Sequence, residues 1–289
     1  MRTEQEMMKQ ILDFAKEDSR ILAVFQNGSR VNSNISPDSL QDYDIVYLVK
    51  ETNSFFEDLS WLNYFGEQVI MQIPNQSSLF PSSYWDAFLM LFKDGNRIDL
   101  TILPEEELDK YLKTSTLTKV LLDKDQLIPP IPPSSEVGYF TKSPSKENFL
   151  DSCTEFWWVS TYVMKGLLRN QYLYAVDHIS IIRDESLRMM SWTIASQFDF
   201  QINLGKSYHK LEQLLPKEDF RKLQQTYSLT SYQEIETSLF LIIELFQKYS
   251  NNISTQLNYP YPIEQEKNVL DYIKRRYEFY PDLRKRSSK

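Results

Sequence analysis

One cysteine, two histidines and six glycines stand among 289 residues, and each scarcity closes off a class of function. Cys153 alone cannot form an internal disulfide, and with only His178 and His209 beside it no Cys/His zinc site of the usual ligand spacing can be assembled. Any metal must therefore be held by oxygen. The glycines nowhere build the Gly-x4-Gly-Lys-Ser/Thr loop of a P-loop kinase or ATPase, because Gly205-Lys206-Ser207 lacks the upstream glycine. Neither histidine lies in a recognisable nucleophile motif. No apolar run approaches the roughly 18 residues needed to cross a bilayer, and the polar start MRTEQEMMKQILDFAKEDSR does not resemble a signal peptide. The expectation is a cytoplasmic protein without a membrane partner. Positive charge is short as well: 32 Lys and Arg against 40 Asp and Glu leave a net charge of −8. That balance argues against a nucleic-acid partner, which needs a basic surface, and suits a cationic one better. The basic tail RKRSSK reads as a solvated terminus.

What is present is ample apolar material, 42% of the chain, enough for one large or two ordinary domains. Met7, Met8, Ile11, Leu12 and Ala15 recur at helical spacing and predict an amphipathic helix over 3–17. ILAVF at 21–25, YDIVYLV at 43–49 and EQVIMQI at 67–73 are short continuous apolar runs, as strands covered on both faces would be. YWDAFLMLF and NRIDLTIL flank KDGN, where Asp94-Gly95 signals a hairpin. About five strands are expected in a mixed α/β first half. LIPPIPPSS at 127–135 can continue neither a helix nor a central strand, and it reads as the linker. Beyond it, Ser143 is expected to cap a helix with Pro144 in its first turn, and helical patterns run on to the end. The expected class is α+β: a mixed-sheet domain over 1–135 followed by a helical bundle over 136–289.

The stretch QNGSRVNSNISPDSLQDYDIVYLV, residues 26–49, poses a question: why does a strand meant for burial begin with two aspartates? Alternate side chains of a strand share a face, so Asp42 and Asp44 point the same way while Tyr43 and Ile45 point the other. Two such carboxylates repel unless a cation lies between them, and a hard divalent ion such as Mg2+, which prefers oxygen, fills that need. The same alternation puts Arg97, Asp99 and Thr101 on one face of a later strand. If the two strands are neighbours, Asp99 completes a three-carboxylate cluster. Gly28 lets the chain turn sharply at a strand end, and the Ser29 hydroxyl with the following N–H groups can then hold phosphate oxygens.

The helix starting near Ser143 carries a second pattern. Phe149, Leu150, Cys153, Phe156, Trp157, Ser160, Val163, Met164, Leu167 and Leu168 form its core stripe. Opposite them run Glu155, Trp158, Tyr162, Lys165 and Arg169, an aromatic and charged stripe expected to face the cleft between the domains. Lys165 could neutralise a triphosphate, Glu155 could act as base or meet a cationic substrate, and Trp158 and Tyr162 could stack on a nucleobase or a guanidinium. Lys206 after Gly205 is a further phosphate candidate. His178 and His209 read as surface or packing residues.

Gly-Ser, twelve residues, Asp-x-Asp entering an apolar strand and a later strand with Asp between apolar neighbours together resemble the nucleotidyltransferase superfamily that includes polymerase beta. There, a helix after the Gly-Ser turn presents its N-terminus to the triphosphate. More closely, NGSRVN, QDYDIVYLV, DGNRIDLTILP, VLLDKD and EFWWVSTYVMKGLLRN resemble the streptomycin-type aminoglycoside 6-adenylyltransferases over essentially the whole chain. The resemblance implies a polymerase-beta-like domain followed by a helical domain. It also implies ATP and Mg2+ used to adenylylate a streptomycin hydroxyl with release of pyrophosphate, an activity that confers antibiotic resistance. It implies Gly28, Ser29 and Arg30 at the phosphate turn, Asp42 and Asp44 as metal ligands and Asp99 as the third carboxylate. Asp99 and Glu155 both stand as candidates for the general base. Streptomycin carries two guanidinium groups, and an acidic protein is the expected host. Two other readings stay open: the same chemistry on another small-molecule acceptor, and a noncatalytic nucleotide-binding regulator. Intact Asp42, Asp44 and Asp99 count against the second.

Overall fold

The computed structural model describes residues 1–79 and 85–279. Tyr84, at the start of YWDAFLMLF, and the basic tail lie outside the described residues. The chain divides into two compact units between Gly138 and Tyr139.

In the first unit, helix α1 (Glu4–Glu17) starts where Thr3 and Glu6 close a reciprocal capping box, and it buries Met7, Ile11 and Ala15. Six strands follow: β1 (Ile21–Asn27), β2 (Tyr43–Val49), β3 (Gln68–Gln72), β4 (Asp86–Phe92), β5 (Arg97–Pro104) and β6 (Thr118–Asp123). They form one sheet in the order β3-β4-β5-β2-β1-β6. Among the described residues only β2 and β5 pair in parallel, and the other four neighbouring pairs are antiparallel. Gly95, at φ +85°, makes the expected turn between β4 and β5. The short helix α2 (Ser54–Glu57) follows β2, and α3 (Leu108–Thr114) follows β5.

Odd residues of β2, from Tyr43 to Val49, join α1 in one core, and Val46 and Leu48 join Phe25 and Tyr111 in a second core on the other face. Central strands therefore read as continuous apolar runs, as expected. Two expectations are corrected here. Among the described residues the sheet has six strands, because the half-buried TKVLLD at 118–123 pairs with β1. The run at 67–73 is not covered on both faces: β3 is an edge strand, with Val69 60% and Ile70 64% exposed.

The second unit is helical, with α4 (Lys146–Arg169), α5 (Tyr172–Ser196), α6 (Leu211–Leu214), α7 (Lys217–Gln225), α8 (Tyr232–Leu257) and α9 (Ile263–Phe279). The cap of α4 is Ser145, not Ser143. Ser145 and Asn148 close a capping box, which leaves Pro144 just outside the helix. The stripe from Phe149 to Leu167 is buried as expected, and Phe156 stacks on Phe246 of α8 with ring centroids 3.6 Å apart. Cys153 lies in this core, where burial pushes its thiol up to about 12, so it is a packing residue.

Candidate active site

The parallel register sets Asp44 of β2 directly beside Asp99 of β5, on the same face of the sheet. Asp42 precedes β2 by one residue. Gly28 follows the neighbouring strand β1 at φ +75°, and a Cβ built on it would lie 2.1 Å from Oδ2 of Asp44. The glycine is required because the aspartate rests against its backbone. Gly28–Val31 forms one short 3-10 turn where the superfamily resemblance implied a helix.

The proximity of these carboxylates has an electrostatic consequence. Burial, then Asp99 and Asp42, push the Asp44 carboxyl up to about 6. Burial also raises Asp42, with Arg97 opposing the shift and Asp99 reinforcing it. Arg97 is the residue whose role the sequence reading left out. Its Nε donates to Oδ1 of Asp99 at 2.7 Å and its Nη2 to Oδ2 at 2.9 Å, while Nε lies 3.6 Å from Asp42. The signal was available as Arg-x-Asp on one strand, which puts both side chains on the same face.

Among the described residues, no three His, Cys, Asp or Glu side chains converge closely enough to hold a metal ion. Asp99, one of the expected ligands, is engaged by Arg97 instead. The donor chemistry nevertheless fits a hard cation at Asp42 and Asp44: both are oxygen ligands, both are penalised as anions, and neither is gripped by a two-pronged cation as Asp99 is.

Arg30, expected at the phosphate turn, is committed elsewhere. Nε donates to the Asp42 carbonyl at 3.0 Å and Nη2 to that of Gln41 at 2.8 Å. The guanidinium also lies 3.8 Å over the Tyr43 ring and 3.4 Å from Glu4. It braces the backbone that presents Asp42. Ser29 lines a cavity of about 660 Å3 together with Gln26, Asn32 and Ser134. Gln26 pairs with Ile45, so it stands on the face of the sheet opposite Asp44.

In the helical unit, the expected stripe of α4 is divided between separate cavities. Glu155 shares about 470 Å3 with Asp151, Glu185, Arg188 and Trp192. Trp158, Tyr162, Lys165 and Arg169 line another cavity of about 430 Å3. Trp158 is 59% exposed, and its Nε1 donates to the Tyr162 hydroxyl at 2.7 Å. His178 packs edge-on against Tyr162 at 5.3 Å, the packing role expected of it. Lys206 is exposed on a short 3-10 turn and is not among the residues around Lys165.

A family model described as streptomycin adenylyltransferase matches residues 1–276. An aminoglycoside 6-adenylyltransferase of Bacillus subtilis (strain 168) is 45% identical over 94% of this chain and 97% of its own length. One from Campylobacter jejuni is 42% identical over 97% of this chain and 98% of its own. A crystal structure of an aminoglycoside 6-adenyltransferase from Bacillus subtilis is 40% identical, covers 96% of this chain and 99% of that one, and has a TM-score of 0.48.

Proposed function

The chain belongs to the streptomycin adenylyltransferase family, and from that premise we propose that it transfers AMP from Mg·ATP to a hydroxyl of a streptomycin-class aminoglycoside and releases pyrophosphate. The observation that carries the reading is the in-register pair Asp44 and Asp99, with Asp42 one residue outside the strand and Gly28 pressed against Asp44. A regulator that only binds nucleotide has no use for half-buried, mutually repelling carboxylates.

Transfer at phosphorus is mostly positioning and charge neutralisation. Asp42 and Asp44 would hold the divalent cation, which when bound supplies positive charge to the triphosphate. Ser29 and the N–H groups of its turn would hold phosphate oxygens. The acceptor oxygen bonds to the α-phosphorus, the bond to the bridging oxygen of the β-phosphate breaks, and pyrophosphate carries the electron pair away. Asp99 takes the hydroxyl proton. The two-pronged grip of Arg97 fixes both oxygens of that carboxylate, so the base is aimed before substrate arrives. Glu155, among Asp151 and Glu185, is better suited to receive a cationic group of the drug than to act as base.

The test is pyrophosphate release by purified protein with Mg·ATP and, in turn, streptomycin, kanamycin, spectinomycin or no acceptor. Release with streptomycin alone is expected, and Asp44→Asn should abolish it while the protein stays folded. Turnover that survives Asp44→Asn, or silence with every aminoglycoside, overturns the reading.

A further inference from the structure

The turn that carries Ser29 is fastened at both ends within the first unit. At its start, the Gly28 N–H donates to the Leu117 carbonyl at 3.3 Å. At its end, the Asn32 N–H donates to the Ser29 carbonyl at 3.2 Å, and the Asn32 side chain, only 6% exposed, is committed on both sides. Its Oδ1 accepts from the Asn34 N–H at 3.0 Å, and its Nδ2 donates to Oε2 of Glu136 at 3.1 Å. The other oxygen of that carboxylate, Oε1, accepts from Nδ2 of Asn34 at 2.9 Å. Glu136 stands 104 residues beyond Asn32 and still belongs to the first unit. Its own segment is tied to the neighbour of Leu117: the Ser135 N–H donates to the Thr116 carbonyl at 2.8 Å, and the Gly138 N–H to Oγ1 of Thr116 at 3.1 Å. Thr116 and Leu117 thus anchor the start of the turn directly and its end through Glu136.

If the loop only had to be closed, a neutral acceptor would serve better, because a carboxylate near a turn that receives phosphates adds repulsion. What a carboxylate offers is two acceptor oxygens at once, each making a charge-assisted bond roughly twice as strong as a neutral one. Held by one rigid group, Asn32 and Asn34 cannot turn independently. With Nδ2 of Asn32 on Glu136, its Oδ1 is directed to the Asn34 N–H, so the amide has one orientation. The Ser29 hydroxyl, by contrast, has no hydrogen-bond partner among the described residues, so where it stands depends on the backbone of the turn. We infer that Glu136 is a positioning residue for this turn: through Asn32 and Asn34 it fixes the backbone that presents the Ser29 hydroxyl. The inference rests on the reading that the turn holds phosphate oxygens, and it adds a residue that acts only through the turn.

Calorimetric titration of the full chain with Mg·ATP and with streptomycin, beside thermal melts and steady-state kinetics, tests this. Glu136→Gln keeps the length of the side chain but turns one acceptor into a donor, so one asparagine amide loses its partner. It is expected to weaken Mg·ATP about tenfold and to leave streptomycin unchanged, with KM for ATP rising in step and kcat at saturating Mg·ATP nearly constant. Asn34→Ala removes one of the two bonds at an exposed residue and should weaken Mg·ATP about threefold. Ser29→Ala should weaken it about tenfold, and Ser29→Ala/Glu136→Gln no more than Ser29→Ala alone, because the second change acts through the first. Losses that multiply in the double variant overturn the assignment. So does a kcat that falls while KM for ATP stays constant, or a lowered melting temperature in Glu136→Gln with wild-type affinity for Mg·ATP. Weakening in Ser29→Ala but in neither Glu136→Gln nor Asn34→Ala defeats the inference alone, and wild-type affinity in Ser29→Ala defeats the phosphate turn and the inference with it. Non-additive losses of Mg·ATP affinity without pyrophosphate release to any aminoglycoside defeat the proposed reaction alone.

Discussion

Gly28 admits no side chain, since a Cβ would meet the Asp44 carboxylate at 2.1 Å in a backbone conformation that L-residues rarely adopt. Gly28→Ala is expected to fold with a loss of about 1–2 kcal/mol. Its kcat should fall by roughly a hundredfold, because a carboxylate displaced by about 1 Å no longer presents the cation correctly. Steady-state pyrophosphate release beside a urea melt checks both numbers. Asp44 makes a second prediction. Its carboxyl is pushed up to about 6, above the ordinary 3.8, so the folded chain binds this proton more tightly than the unfolded chain does. The sign follows: in chelator, stability from this group is greatest below pH 4 and is lost as pH rises through 6. Asp44→Asn should therefore exceed wild type by about 3 kcal/mol near pH 7.5 and by almost nothing near pH 3, read from urea melts at the two pH values. Equal stability at both would show that Asp44 is not strained as an anion.

Elements differ in how openly their sequences declare them. Helix α4 has two serines before it, and Ser145 is the cap because Asn148 stands three residues on and can return its hydrogen bond. Ser145→Ala is expected to lower stability by about 1 kcal/mol, and Ser143→Ala by much less, on thermal melts. Strand β3 looked like a core strand because QVIM is as apolar as a central run. Its place at the sheet edge depends on β4 having β5 as its other partner, which no local pattern contains. Substituting the exposed Ile70 by Thr should cost under about 0.5 kcal/mol, whereas Ile45→Thr, 1% exposed in the core under α1, should cost several times more. Strand β6 went uncounted because TKVLLD is short and only half-buried, with neither alternation nor a long apolar run to mark it.

At the scale of the whole molecule, a net charge of −8 should draw in a polycationic acceptor and repel the tetra-anionic nucleotide. KM for streptomycin is expected to rise severalfold between about 50 and 500 mM salt while kcat changes little, since the Debye length that screens long-range attraction falls over that range from about 14 Å to about 4 Å. A salt-independent KM would mean that the drug is held by contact alone. The sequence by itself determined the two-part organisation of strands and helices, the face shared by Asp42 and Asp44, the need for glycine at position 28 and the buried stripe of α4. These follow from backbone periodicity and from single-residue φ preferences, both of which are local. Only the tertiary structure decided that β2 lies parallel to β5, which sets Asp99 beside Asp44 and brings in Arg97. It also decided that Arg30 braces Asp42 and that the exposed stripe of α4 is divided between an acidic cavity near Glu155 and a basic aromatic one shared with α9. Periodicity fixes the face on which a side chain stands, but the element packed across that face, and so the charge it meets there, is chosen by contacts far apart in the chain.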